Sequence, residues 1–181
     1  MIIDKWPTFE HQGQSYLLAH LNDLEITFVQ GATASQPERS YSFVVSFGLH
    51  CFTRGANPRN DENLSDFSSF HYSDHRETRI FCFERYRQSF LLPRIAKEIS
   101  QRKCFNTGKG NFFTIEIVDL EGISREYEVY FKVSRESRGK LRLHIISAYI
   151  RDNAHGSAQP QKKKISFFVI AHNIQSGKSI K

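Results

Sequence analysis

The stretch NFFTIEIVDLEGISREYEVYFKVSRESRGKLRLHIISAYIRD, Asn111–Asp152, decides the fold. Three segments within it alternate apolar and polar residues: Asn111–Leu120, Arg125–Ser134 and Lys140–Asp152. A period of two places successive side chains on opposite faces of a strand, and short turns between the segments make an antiparallel meander. One face is expected to carry Phe113, Ile115 and Ile117, then Tyr127, Val129, Phe131 and Val133, then Leu143 and Ile145. Ser147 and Tyr149 continue the Leu143/Ile145 side. The other face takes Thr114, Glu116, Glu128, Tyr130, Lys132, Arg142 and His144.

Working outward, Ser89–Arg102 reads as a helix. Ser89 is the N-cap candidate. Pro93 falls in the first turn, where a missing N–H costs little. Leu91, Ile95 and Ile99 recur every fourth residue and form a stripe with Leu92 and Ala96, which the apolar face of the meander should cover. The expected fold is therefore α+β: a mainly antiparallel sheet, one principal helix at about residues 86–102, and a β-rich N-terminal part.

The chain of 181 residues reads as a single domain. Residues 1–40 form a β-rich lead-in. Tyr41–Thr53 is a strand with both faces largely apolar, as expected of one covered on both sides. Arg54–Glu77 is a long loop containing Phe67, Phe70 and Tyr72, and loops of that length are usually functional or disordered. Thr78–Phe83 is a short strand. Residues 153–181 form a basic C-terminal extension: a loop over 153–161, then a last strand at Ile165–His172.

Composition narrows the classes. Sixteen Phe against one Met fit a core of strands and rings rather than a helix bundle. No apolar run approaches the roughly 18 residues of a membrane span. The N-terminal residues show no secretion signal. Three cysteines (Cys51, Cys82, Cys104) without close pairing fit buried, reduced thiols in a cytoplasmic protein. Of the net charge of +6, the acid-free segment after Asp152 supplies five through Lys162, Lys163, Lys164, Lys178 and Lys181. Such a tail suits a polyanion, and equally a solvated terminus.

From Phe81 to Asp152, ending in Ser147-Ala148-Tyr149, the chain resembles the small ribonuclease toxins that include barnase, RelE and the ribonuclease colicins. The resemblance implies a toxin-like, metal-independent ribonuclease (a hydrolase), or a catalytically inactive RNA-binding relative. It further implies RNA and a neutralising antitoxin as partners, and no cofactor. Arg79, Glu84-Arg85-Tyr86 and Leu92-Pro93-Arg94 also resemble a family of bacterial and phage-associated proteins. That likeness leaves open a non-enzymatic interaction module of phage or mobile-element origin, docking a protein partner through Phe67–His75.

Metal-free RNA cleavage requires a base for the 2′-OH, an acid for the leaving oxygen, and cations for the phosphate. His50, Arg85, Ser147 and Tyr149 are the catalytic candidates, and Lys162, Lys163 and Lys164 the nucleic-acid-binding ones. Each has a plainer reading. His50 packs under Phe52, Arg85 makes a surface ion pair with Glu84 or Asp74, Ser147 and Tyr149 cap the core, and the lysines are solvated. Lys132 and His144 form a further polar grouping on the open face. His71 and His75 with the cysteines are zinc-type ligands, but structural zinc prefers paired close spacings such as Cys-x-x-Cys, and only His71 and His75 are close, in a Ser/Asp-rich loop; no metal site is assigned.

Overall fold

A computed structural model describes residues 4–151 and 158–180. It is an α+β fold in which strand outweighs helix. A hairpin of β1 (Phe9–His11) and β2 (Gln14–Tyr16) comes first. Then β3 (Leu24–Gln30) pairs antiparallel with the long β4 (Arg39–His50). After β5 (Thr53–Arg54) come two 3-10 turns, β6 (His71–Ser73) and β7 (Thr78–Phe81), and β5, β7 and β6 make a small sheet. The expected long loop is thus half structured.

The helical region is not one rod. α1 (Phe83–Ser89) and α2 (Leu92–Lys97) are followed by a 3-10 turn, Ile99–Gln101. Pro93 occupies the first turn of α2, where its lost N–H is harmless, but its ring opposes continuation from α1. Ser89 closes α1 instead of capping a helix: it is fully buried, and its hydroxyl donates to the Tyr86 carbonyl at 2.7 Å. The apolar stripe holds as expected, with Leu92, Ile95, Ala96 and Ile99 all completely buried.

β8 (Cys104–Asn106), β9 (Phe112–Leu120), β10 (Ile123–Arg135), β11 (Leu141–Ile150) and β12 (Lys163–Ile165) complete the main sheet. Its order is β12-β8-β9-β10-β11-β4-β3, and the β11–β4 pair is parallel. The strand expected at Ile165–His172 is only β12; the rest is helix α3 (Phe167–Gln175). Phe167, Ile170 and Ala171 are buried at helical spacing, and the Phe167 ring lies 5.1 Å from Phe28 and 5.3 Å from Phe43. Asp152, residues 153–157 of the expected loop, and Lys181 lie outside the described residues.

α1, α2 and α3 cover the sheet face built from Tyr41, Phe43, Val45, Phe47, Tyr127, Val129, Phe131, Leu143 and Ile145. Two side-chain assignments on the sheet need correction. β9 is turned over: Phe113 pairs with Tyr130 and Ile115 with Glu128, on the face away from the helices. Glu116 faces the helices, where Arg94 and Arg102 hold it. β11 carries a bulge. Phe131 pairs with Ile145, but the next residue back, Tyr130, pairs with Ser147. The extra residue, Ile146, moves Ser147 and Tyr149 to the face of Tyr130 and Glu128.

Candidate functional site

The parallel β4–β11 pair builds the site, because it puts the ends of two distant strands side by side. Ser147 is the register partner of His50. Arg85, on α1, reaches over both strands: its Nη1–H donates to the His50 carbonyl at 3.2 Å and the Thr53 carbonyl at 2.8 Å. Its guanidinium lies 5.1 Å from the centre of the Tyr149 ring. The four candidates thus meet at one end of the β4–β11 pair: Arg85 touches the His50 backbone carbonyl and the Tyr149 ring, and Ser147 is the strand partner of His50, while the His50 imidazole turns to another partner. Arg85 is not the surface ion pair of the plainer reading; it is a mostly buried cation resting on carbonyls and a ring. Burial lowers its pKa.

His50 has a partner that the sequence does not announce. Its Nε2 lies 2.7 Å from Glu77 Oε1, and both side chains are partly exposed. That hydrogen bond is the largest factor holding the Glu77 carboxyl below its usual range. Arg79 donates to Glu77 at 3.3 Å and to the Thr53 hydroxyl at 3.0 Å. With Nε2–H donated to the carboxylate, Nδ1 is the nitrogen left to exchange a proton.

Behind this pair stands a stacked tier on the same face. Phe105–Phe113, Phe113–Tyr130 and Tyr130–Tyr149 are 5.1, 5.3 and 5.7 Å apart between centroids. Beneath it sits Glu128, fully buried. Arg151 grips its two oxygens at 2.8 and 2.9 Å, and the Tyr130 hydroxyl donates to it at 2.7 Å. Burial alone would raise the Glu128 pKa; Arg151, Tyr130 and Gln159 together take it below its usual value. Gln159 ties the C-terminal extension onto this face.

The lysine run stands apart. Lys163 and Lys164 lie in β12, paired with Asn106 and Phe105, and Lys162 Nζ is 3.5 Å from Glu126. β12 edges the sheet, five strand spacings from β4. At about 4.8 Å per spacing this is roughly 24 Å from His50. The positions also fit edge protection, since lysines blunt pairing with another chain.

The remaining candidates separate. Lys132 and His144 are cross-strand partners as expected, but the His144 Nδ1 is held by Ser46 Oγ at 2.9 Å. The Phe67–His75 rings serve the fold itself: Tyr72 is buried against Phe52, Phe70 packs near His11, and Arg54 covers Phe67. His71 Nε2 lies 2.8 Å from the Leu64 carbonyl. Among the described residues no group of His, Cys, Asp or Glu is placed to hold a metal ion. Cys51 and Cys104 are free and buried, each pushed up to about 12 by burial, and Cys82 is free and half-buried. Among the described residues no helix is long and apolar enough to cross a membrane.

The model of the YjaZ family matches residues 8–175. Protein YjaZ of Escherichia coli (strain K12) is 32% identical over 182 residues, covering 98% of this chain and 95% of that protein. No solved structure matches. The chain belongs to the YjaZ family.

Proposed function

We propose that the His50–Glu77 pair is the acid–base centre of a toxin-like, metal-independent ribonuclease acting on RNA laid against the β4–β11 strand ends. The observation that carries this reading is the 2.7 Å His50–Glu77 contact beside Ser147 and Arg85. A histidine held by a carboxylate has a fixed tautomer and a defined free nitrogen, the requirement for taking a 2′-OH proton and returning it to the leaving oxygen. Arg79 and Arg85 supply positive charge for the phosphate. Tyr149 positions Arg85, and Ser147 is the strand partner of His50. Lys162, Lys163 and Lys164 extend the contact along the backbone of a longer RNA.

The test is cleavage of labelled RNA by the purified chain in the presence of a chelator. His50→Ala should lower the rate at least about a hundredfold, the scale of a lost general acid or base. Absence of cleavage, with RNA binding retained, leaves the inactive RNA-binding relative; absence of both removes the reading.

A second reading, a protein-interaction module, is favoured by a different place from the one expected. An open groove of about 1070 Å³ runs between α1, α2 and the β9–β10 hairpin. Ile117 and Ile123 on its wall are 62% and 54% exposed, which is unusual for side chains of that size sharing one hairpin. A partner docked there would be displaced by Ile117→Asp.

A further inference from the structure

We infer that the pocket enclosed by Lys5-Trp6-Pro7, the end of β4, the Asp74–Arg76 turn and His144 binds a small anion carrying a phosphate group. The pocket encloses about 370 Å³, within the range of small-molecule sites. It exists because β3 stops short. The β3–β4 ladder ends at Leu24–Val45, so the far end of β4 has no strand on that side. The N-terminal segment and the Asp74 turn close the gap.

The lining is rich in donors. Trp6 is 8% exposed, and among the described residues its Nε1–H is buried with no hydrogen-bond partner. Leaving a buried donor without an acceptor is costly. Lys5 and Arg76 bring two positive charges to the lining, and Arg76 Nε lies 3.8 Å from the Asp74 Oδ2. The Asp74 Oδ1 is already committed, accepting the N–H groups of Arg76 and Glu77 at 2.8 and 2.9 Å. Lys5 is shared with Asp23 at 2.9 Å.

His144 adds a fourth group. Its Nδ1 meets Ser46 Oγ, which leaves Nε2 toward Gly48: a Cβ there would lie 3.3 Å from Nε2. Burial, then Lys5, Arg142 and Arg76, lower the His144 pKa, while Asp23 raises it. A bound dianion would offset those cations and draw a proton onto the ring. Trp6 and Pro7 give part of the wall an apolar character suited to a compact organic body.

The chain has a single tryptophan, so its own fluorescence reports on the pocket. Titrating the full chain with inorganic phosphate, at ionic strength fixed with chloride, should give a saturable change. Arg76→Gln and Lys5→Gln should each weaken binding roughly tenfold, the scale of one charge-assisted hydrogen bond. Trp6→Phe keeps the ring but removes the donor; calorimetry should show weaker binding, with circular dichroism verifying the fold. The His144 ring should titrate at higher pH when phosphate is present. A parallel titration with a sugar phosphate separates the sources: tighter binding assigns the apolar wall to an organic body, equal binding to the free anion. A response that chloride reproduces, or an affinity unchanged in Arg76→Gln and Lys5→Gln, overturns the site. The readout requires no RNA cleavage, so this inference stands or falls apart from the ribonuclease reading.

Discussion

The two faces of the seven-stranded sheet are both closed to water over much of their area, but by opposite chemistry. On the helix face Val45, Phe47, Tyr127, Val129, Phe131, Leu143 and Ile145 meet other apolar side chains. The driving force there is non-directional and scales with area. On the other face a fully buried carboxylate, Glu128, lies beneath the tier that runs from Phe105 to Tyr149. That face depends on partners: each polar group there is tolerable only while its counterpart stays. The first face should degrade gradually under substitution, and the second abruptly.

The sharpest way to break this contrast is Arg151→Met. It leaves Glu128 buried without its cation, and the expected loss is roughly 3–5 kcal/mol in urea unfolding. Combining it with Glu128→Leu should recover most of that loss. If single and double variants are equally unstable, the pair matters only as bulk, and the two faces do not differ in kind.

Gly48→Ala tests the join between the faces. A Cβ there would stand 2.8 Å from the Ile146 carbonyl and 3.2 Å from the Ile145 carbonyl. Both acceptors belong to the backbone of the bulge, so the strand must move, at about 1–3 kcal/mol. A neutral substitution would mean that the bulge is loose.

A smaller effect is expected from His20, outside the sheet. Its ring stacks on Phe90 at 3.8 Å, its Nε2 meets Ser89 Oγ at 2.7 Å, and burial lowers its pKa to about 4. The folded pKa lies below the ordinary 6.5, so the folded state takes up the proton later than the unfolded chain. The stability this site contributes is whole above about 6.5 and declines as pH falls toward about 4. His20→Leu should flatten the urea midpoint across that window; an unchanged slope would place the acid sensitivity in the carboxylates and His144.

The smallest stability change belongs to Lys162, Lys163 and Lys164. All three are exposed, and their joint replacement by Gln should stay within about 0.5 kcal/mol. If RNA binds, the logarithmic salt slope should fall by roughly two to three. A large loss of solubility with no change in slope would assign them to guarding the edge strand.

Much of the fold was legible from local patterning. The alternation in Tyr41–His50 and across β9–β11 marked real strands, and the Leu92, Ile95, Ile99 stripe marked a buried helical face. What failed were the features set by single residues or by tertiary contact. One extra residue, Ile146, reversed Ser147 and Tyr149. β9 is apolar at Phe112 and Phe113 together, so alternation could not choose its inward face. The run Ile165–Ile170 reads equally as strand or helix, and packing on Phe28 and Phe43 decided for helix. At the site, residue types pointed to His50, Arg85, Ser147 and Tyr149, but Glu77 and Trp6 enter only through folding. Glu77 arrives with the β5–β7–β6 sheet, and no spacing in the sequence links Trp6 to His144.

The parallel β4–β11 pair has a consequence in time. Its residues are far apart in the chain; Ser46 and His144, which bond across it, are separated by 98 positions. A ribosome adds about 5–20 residues per second. β4 therefore waits roughly 5–20 seconds for its partner during synthesis, by that rate. Through that interval Tyr41, Phe43 and Val45 have β3 on one side and an unsatisfied edge on the other. The newborn chain is most open to misassociation then, and chaperone demand should peak before residue 141 emerges and fall once β11 docks.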